Sequence, residues 1–271
     1  MTCRVGLLLV AHHYDAESAG HLRTLTFSAG VPGRLATIGR SGDEIGHGLR
    51  SLHAAAHDAV AVVPLFVSSG SRLVRQATEL AAAASAETHI PATVTAALDT
   101  SAEVMDILAD RARRLAESRA RQALMLVGHG PVADEDMADW ESLGAAVAAG
   151  VRERAGFAVV EAGVVRDDAA PEARAVAVAV LRDRIARLAS DTGRPVVVVP
   201  WVLGAGRLTR ERLPADLAGL DVRYDGQPLL PHPALARWVT RQIGAARRLL
   251  ERDAVPLQRD SPNVGREKGE P

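Results

Sequence analysis

VGLLLVAHHYD, from Val5 to Asp15, is an unbroken apolar run that stops at His12 and opens into polar residues. ALMLVGHGPVADED, from Ala123 to Asp136, repeats it and stops at His129. A short aliphatic run without alternation is the pattern of a strand buried on both faces, which occurs where helices cover both sides of a parallel sheet. A second pair follows in the same order. VAVVPLFVSSGSRL (Val60 to Leu73) is answered by VVVVPWVLGAGRLT (Val196 to Thr209). Two units of matched order and unequal length predict a duplicated α/β architecture. In such sheets ligands sit beyond the carboxyl ends of the strands, and each unit places a histidine there.

The rest of the chain supports this reading. Strands are expected at 34–38, Ala59 to Pro64, Thr93 to Leu98, Leu124 to Gly128, Phe157 to Val160, Pro195 to Val199 and Asp221 to Tyr224. Between them, helical patterns run over Asp43 to Ala56, Leu73 to Ser85, Met137 to Ala155, Pro171 to Ser190, Thr209 to Leu217 and Pro233 to Arg252, while 15–29 is only weakly helical. Strands alternating with helices predict parallel, doubly wound sheets. The amphipathic stretch Ser101 to Ala120 is expected to bridge the halves. The domain organisation is therefore an N-terminal lobe (1–100), a bridging helix (101–120), a C-terminal lobe (121–252) and a disordered polar tail (253–271).

Composition narrows the function classes. The 271 residues suffice for two domains that each bury a core. Net charge is −1, from 32 basic and 33 acidic residues, so no global field favours nucleic acid or an anionic membrane. Cys3 is the only cysteine, which excludes an internal disulfide and a cysteine metal cage. No stretch approaches the roughly 18 apolar residues of a membrane helix, and Val5 to Ala11 is too short for a secretory signal. A cytoplasmic protein is expected.

His12 and His129 are the first candidates for chemistry, because imidazole can hold a metal ion or accept a proton near neutral pH. A histidine that caps a helix or lines a turn is the alternative for each. His53 and His57 share a helical face, yet no acidic residue lies between them in the zincin manner, so solvation is the simpler reading. Ser68, Ser69, Gly70, Ser71 and Arg72 follow a buried strand and offer hydroxyls, backbone donors and a guanidinium suited to carboxylates or phosphates; a plain strand-to-helix connection has the same composition. Glu161 is expected at the carboxyl end of its strand, where it could join a metal site. A carboxylate of Arg166-Asp167-Asp168 could do so too, or could cap the helix that opens at Pro171. No Walker loop, dinucleotide fingerprint or nucleophile elbow is present, which weakens a generic hydrolase or transferase reading.

These residues carry a resemblance. LLLVAHH and LMLVGHGP resemble the strand-histidine element of the class II tetrapyrrole chelatases, the CbiX/SirB group. VVPLFVSSGSRL and VVPWVLGAGRLTRERLPADL resemble that group's proline-ended strand and loop, and LLPHPALARWV its closing element. The resemblance spans nearly the whole chain except the tail. It implies two tandem flavodoxin-like, chelatase-like lobes with parallel sheets and a cleft between them. It implies insertion of a divalent ion, Co²⁺ or Fe²⁺, into sirohydrochlorin or a related tetrapyrrole, with the metal as substrate and no organic cofactor. His12, His129 and Glu161 would then serve the metal, the two histidines would strip pyrrole protons, and the Ser68 to Arg72 loop would bind the macrocycle. The family's second histidine falls at about Arg72 in one half and Leu208 in the other, and neither can ligate a metal. A non-catalytic carrier or sensor that binds a tetrapyrrole or metal is the alternative function.

Overall fold

A computed structural model describes residues 4–12, 16–28, 30–38 and 44–254. The aliphatic runs become the central strands. β1 (Val5–Ala11) and β3 (Ala59–Pro64) are buried at every position, as are their counterparts β5 (Ala123–Gly128) and β7 (Val196–Trp201). With β2 (Gly33–Thr37), β4 (Ala92–Val94), β6 (Val159–Val164) and β8 (Val222–Arg223) they form two four-stranded parallel sheets, ordered β2-β1-β3-β4 and β6-β5-β7-β8. This is the flavodoxin-like strand order, repeated.

Register establishes the equivalence of the two units. Pro64 lies beside Val10, two residues before His12, and Pro200 lies beside Val127, two residues before His129. Strand alternation then sorts the side chains. Leu8 and Val10 face an outer core beneath α2 (Glu44–Ala54) and α3 (Arg72–Thr88). Met125 and Val127 face the matching outer core beneath α6 (Pro171–Thr192) and α7 (Leu213–Asp216). Leu7, Leu9, Leu124 and Leu126 face the opposite way and share one central core, so the lobes meet through their inner faces.

The inner faces are covered reciprocally. Each sheet keeps one helix from its own unit: α1 (Ala16–Ser28) packs beside β2, and α5 (Met137–Ala155) beside β6. The closing helices are exchanged. α4 (Ala102–Leu115), from the first unit, packs against α5 and β7 of the second. α8 (Pro233–Ala254), from the second unit, packs against β1, β3 and β4 of the first. Ala246 on α8 joins Val5 and Ala61 in one buried cluster. Polar groups on α4 follow the same exchange, since Arg111 donates to the carbonyls of Pro228 and Pro231 and Arg154 pairs with Asp106.

Several boundaries differ from expectation. Residues 16–28 form a full helix, and β4 ends at Val94 because the chain leaves the sheet edge there. The Thr209 to Leu217 helix is a π-helical turn (Leu208–Arg212) running into α7. β6 begins two residues later than expected and runs four further, to Val164. α8 reaches Ala254, and the remainder of the expected tail, 255–271, lies outside the described residues. No helix among the described residues is long and apolar enough to cross a membrane.

Candidate functional site

Both histidines stand where their strands release the chain. His12 directly follows β1 and is exposed; His129 directly follows β5 and is partly covered. In each sheet the next loop along the same edge comes from the neighbouring central strand: Leu65 to Ser71 after β3, and Val202 to Arg207 after β7. These strand pairs are where connections change from one face of the sheet to the other, the usual crevice of this fold.

The carboxyl edges of the two sheets meet. In the first turn of α1, the Ser18 hydroxyl donates to the Ala205 carbonyl of the post-β7 loop at 3.5 Å, and Glu17 pairs with Arg210. Beside these contacts a cavity of about 490 Å³ opens between the lobes. Glu17, Ser18 and His21 line it from the first lobe, and Thr209, Arg210 and Tyr224 are among its walls from the second. The Tyr224 hydroxyl donates to the Thr209 carbonyl at 2.7 Å, and burial first, then Asp225, push its ionisation well above the ordinary phenol value. A more apolar pocket of about 230 Å³ lies between α5, β6 and α6, and neither it nor the inter-lobe cavity has His12 or His129 among its lining residues.

The second lobe assembles a potential metal-holding group. The His129 Nε2 lies 3.5 Å from Asp168 Oδ2, and one ligand atom each from His129, Asp167 and Asp168 falls within 4.8 Å of the others. The two carboxylates are not equivalent. The Asp168 side chain is 66% exposed. That of Asp167 is 9% exposed and is held by Arg212 and by Arg174 Nε at 3.2 Å. Burial works to raise the Asp167 carboxyl, but hydrogen bonds from Arg212 and Arg174 outweigh it and hold it below the usual carboxylate range. Asp167 is thus committed to two cations, while Asp168 presents its oxygens to the imidazole and to solvent. Carboxylate with neutral imidazole suits a divalent first-row ion, and the imidazole can take up a proton.

The loops around this group are tied together by Arg166. Its backbone has φ +52°, a conformation uncommon outside glycine. Its guanidinium is buried against the segment beyond His129, donating to Pro131 O at 3.1 Å and Val132 O at 2.7 Å and pairing with Asp134 at 2.6 Å.

The other expected residues are placed as follows. Ser68 is buried, the Ser69 amide donates to Asp99 at 2.7 Å, and the Gly70 carbonyl accepts from Arg75 at 3.0 Å. The Ser71 hydroxyl caps α3 by accepting from the Leu73 amide at 3.2 Å, and Arg72 is exposed at the first position of that helix. Much of this loop's polarity therefore serves its own connection. Leu208 is buried in the outer core of the second lobe. Glu161 requires a correction. It sits in mid-strand beside Met125, not at the carboxyl edge, and pairs with Arg184 at 2.6 Å. Its place follows from β6 running to Val164. His57 Nδ1 lies 2.9 Å from the Leu52 carbonyl, and His53 Nδ1 3.3 Å from that of His57; His57 is buried in the turn after α2 rather than solvated as expected, because it answers a carbonyl of the helix's last turn. The helix-cap alternative for Asp167 and Asp168 is not found: the N-cap of α6 is Ala170, without a side-chain bond. Sequence reading missed the cleft residues Glu17, Ser18, His21, Arg210 and Tyr224, which no local pattern brings together.

Among curated proteins none matches this chain. Its fold is similar to solved structures at low identity. SirB from Bacillus subtilis with Fe³⁺ is 16% identical, with a TM-score of 0.70 over 92% of this chain and 97% of that one. The sirohydrochlorin chelatase SirB from Bacillus subtilis subspecies spizizenii in complex with cobalt is 15% identical, with a TM-score of 0.61 over 93% and 97%. CbiX, described as the terminal enzyme for siroheme biosynthesis in denitrifying bacteria, is 18% identical, with a TM-score of 0.55 over 89% and 99%. The CbiX family model matches residues 12–115 and again 123–246, once per unit, and the chain therefore belongs to the CbiX family.

Proposed function

We propose that this protein is a chelatase, an enzyme that inserts a divalent metal ion, Co²⁺ or Fe²⁺, into sirohydrochlorin or a related tetrapyrrole on the route to siroheme or cobalamin. The observation that carries this reading is the family match in both units, each with a histidine at the same register position after its first strand. The solved relatives with Fe³⁺ and with cobalt support the metal class. Metal insertion displaces two pyrrole protons. The His129 imidazole can accept one once it has passed on the arriving ion, whose charge Asp168 offsets, and His12 is the corresponding group of the first lobe. The cleft offers a seat for a flat ring between two walls, and Arg210, which lines it, is a donor for its carboxylates; Arg72, exposed at the start of α3, is a further candidate donor outside that lining.

One observation favours a second reading. The guanidinium of Arg72 has donors and no acceptor, and Leu208 is buried and apolar, so neither position of the family's second histidine holds a ligand. A protein with the fold and the ring site but an incomplete metal site would act as a carrier or sensor. Absorption spectroscopy separates the two. Sirohydrochlorin with Co²⁺ or Fe²⁺ should convert faster with the protein than without it. Binding of sirohydrochlorin with no acceleration for either metal would reject the enzyme and leave the carrier.

A further inference from the structure

The segment beyond β6 is fixed by the two residues that precede the one facing His129, and the three consecutive residues do different things. Arg166 reaches back to the segment beyond β5. Its Nε, Nη2 and Nη1 engage Pro131 O, Val132 O and Asp134, so one side chain joins the loop that carries His129 to the loop that carries Asp168. The left-handed backbone at Arg166 turns the chain there, and such strain persists in a non-glycine residue only where surrounding contacts over-determine it. Asp167 keeps one oxygen within 4.8 Å of a His129 nitrogen and an Asp168 oxygen, but its carboxylate is bound by two guanidinium groups. Arg212 Nη1 binds both its carboxylate and its carbonyl oxygen, the latter at 3.0 Å. Arg174 bridges it to Asp216, donating through Nε at 3.2 Å and Nη2 at 2.7 Å. Asp168, the next residue, is the one whose carboxylate stands at His129 Nε2.

We propose that Arg166 and Asp167 are positioning residues: the Arg166 guanidinium and the Arg174–Asp167–Arg212 clamp hold the otherwise exposed Asp168 carboxylate at His129, so that the pair can take a divalent cation. This rests on the reading of His129 and Asp168 as the metal-receiving pair of a chelatase. It also assigns unequal roles to the two aspartates. Asp168 is the ligand. Asp167 is not, because a divalent ion drawn to its oxygens would meet two guanidinium charges already bound there. An anchored carboxylate loses less freedom on binding an ion than one on a free loop, and outer contacts of this kind are worth about 10–100-fold in metal affinity.

The test titrates Co²⁺ alone into the full-length protein and follows its visible absorption, with circular dichroism to confirm folding. Asp168→Asn should abolish the His129-dependent signal, defined by comparison with His129→Ala. Asp167→Asn and Arg166→Gly should each weaken Co²⁺ by about 10–100-fold. Arg166→Gly is the decisive variant. Glycine relieves the left-handed backbone, so a residue with a purely structural role would give wild-type affinity or better, whereas loss of the guanidinium anchor predicts a drop. Arg166→Lys should fail to rescue, because an ammonium cannot fork between the carbonyls of Pro131 and Val132. Wild-type Co²⁺ affinity in folded Arg166→Gly and Asp167→Asn would overturn the proposal. So would a Co²⁺ signal indifferent to His129→Ala and Asp168→Asn. Failure of the chelatase reading looks different: the ranking of Co²⁺ affinities holds, but sirohydrochlorin is not metallated faster than in free solution.

Discussion

Arg111 Nε donates to the carbonyl oxygen of Pro228 at 3.2 Å, and the two residues belong to different sequence units. The same guanidinium reaches Pro231 O at 2.9 Å, and the Arg111 residue is 6% exposed. Burial lowers its proton affinity, yet guanidinium remains charged in proteins. A buried cation answered by two carbonyls ties α4 to the segment between β8 and α8. Arg111→Met keeps the length of the side chain and removes the donors. It should cost about 1.5–3 kcal/mol, the usual range for hydrogen bonds to charged groups. Urea unfolding measures this; a change indistinguishable from zero would show that apolar packing alone seats α4.

The exchange of α4 and α8 predicts that the lobes unfold together. Ile243, on α8, is 3% exposed and belongs to the core shared by both units. Ile243→Ala should destabilise by about 2–5 kcal/mol. Although the residue lies in the second unit, amide exchange should quicken in β1 and β3 of the first. Faster exchange confined to β5 and β7 would contradict the packing described above.

How much of this was readable beforehand depended on how local the cause is. The limits of β1, Val5–Ala11, and of β3, Ala59–Pro64, were legible, because a strand buried on both faces must be continuously apolar. β6 was misplaced for the opposite reason. It is an edge strand, open on one side, so it tolerates Glu161, whose carboxylate is satisfied by Arg184 from α6. A pattern reading ends the strand at that charge. His129 was legible as a strand end. Asp168 was one of three polar residues with an equally good local explanation, and only the fold of the loop separates it from Asp167. The stretch Ser101 to Ala120 was legible as a bridge between the halves, but the exchange of α4 and α8 was not, since periodicity shows that a helix has an apolar face and not which sheet that face covers.

His232 makes stability depend on pH. Its Nδ1 accepts from the Ala234 amide at 3.2 Å, which places the proton on Nε2, 3.3 Å from Asp110. Burial pushes its affinity for a second proton below the usual histidine value; the Asp110 hydrogen bond opposes this, and Arg111 and Arg114 add to the lowering. The unfolded chain, titrating near about 6.5, therefore binds the proton more readily than the folded one, and stability falls as pH drops below that value. Protonation also removes the acceptor that starts α8. Between about pH 7 and 5, the wild type should lose more stability than His232→Asn, as read from urea midpoints across that range. Equal slopes would show that His232 does not contribute.

The two histidines are separable by kinetics. Removal of a proton acceptor lowers turnover by about 10²–10⁴-fold. If His12 and His129 serve one reaction across the cleft, each alanine variant should fall by an amount in that range, and the double variant by little more than either single one, because groups acting as a unit are not additive. If one lobe alone carries the chemistry, only its variant falls. Turnover unchanged in both variants would remove the histidines from the mechanism.

Gly130 tests whether the His129 loop must keep its shape. Its φ is +83°, and a Cβ placed there would come within 2.8 Å of Val164 Cβ and 3.3 Å of Arg166 Cγ. Neither neighbour yields easily, since Val164 belongs to β6 and Arg166 is anchored to the carbonyls of Pro131 and Val132. Gly130→Ala must therefore both strain the backbone and push the post-β5 loop away from β6, at a cost of about 1–3 kcal/mol for the backbone conformation alone. The displaced group is the loop that begins at His129, so turnover should fall together with stability. Gly156→Ala supplies the control. Gly156 also has a positive φ, +73°, but its added Cβ would meet nothing within 4 Å. It should lose stability while keeping turnover per folded molecule. A Gly130→Ala protein that is merely less stable, with wild-type turnover once the unfolded fraction is subtracted, would show that the contact between this loop and β6 has no part in catalysis.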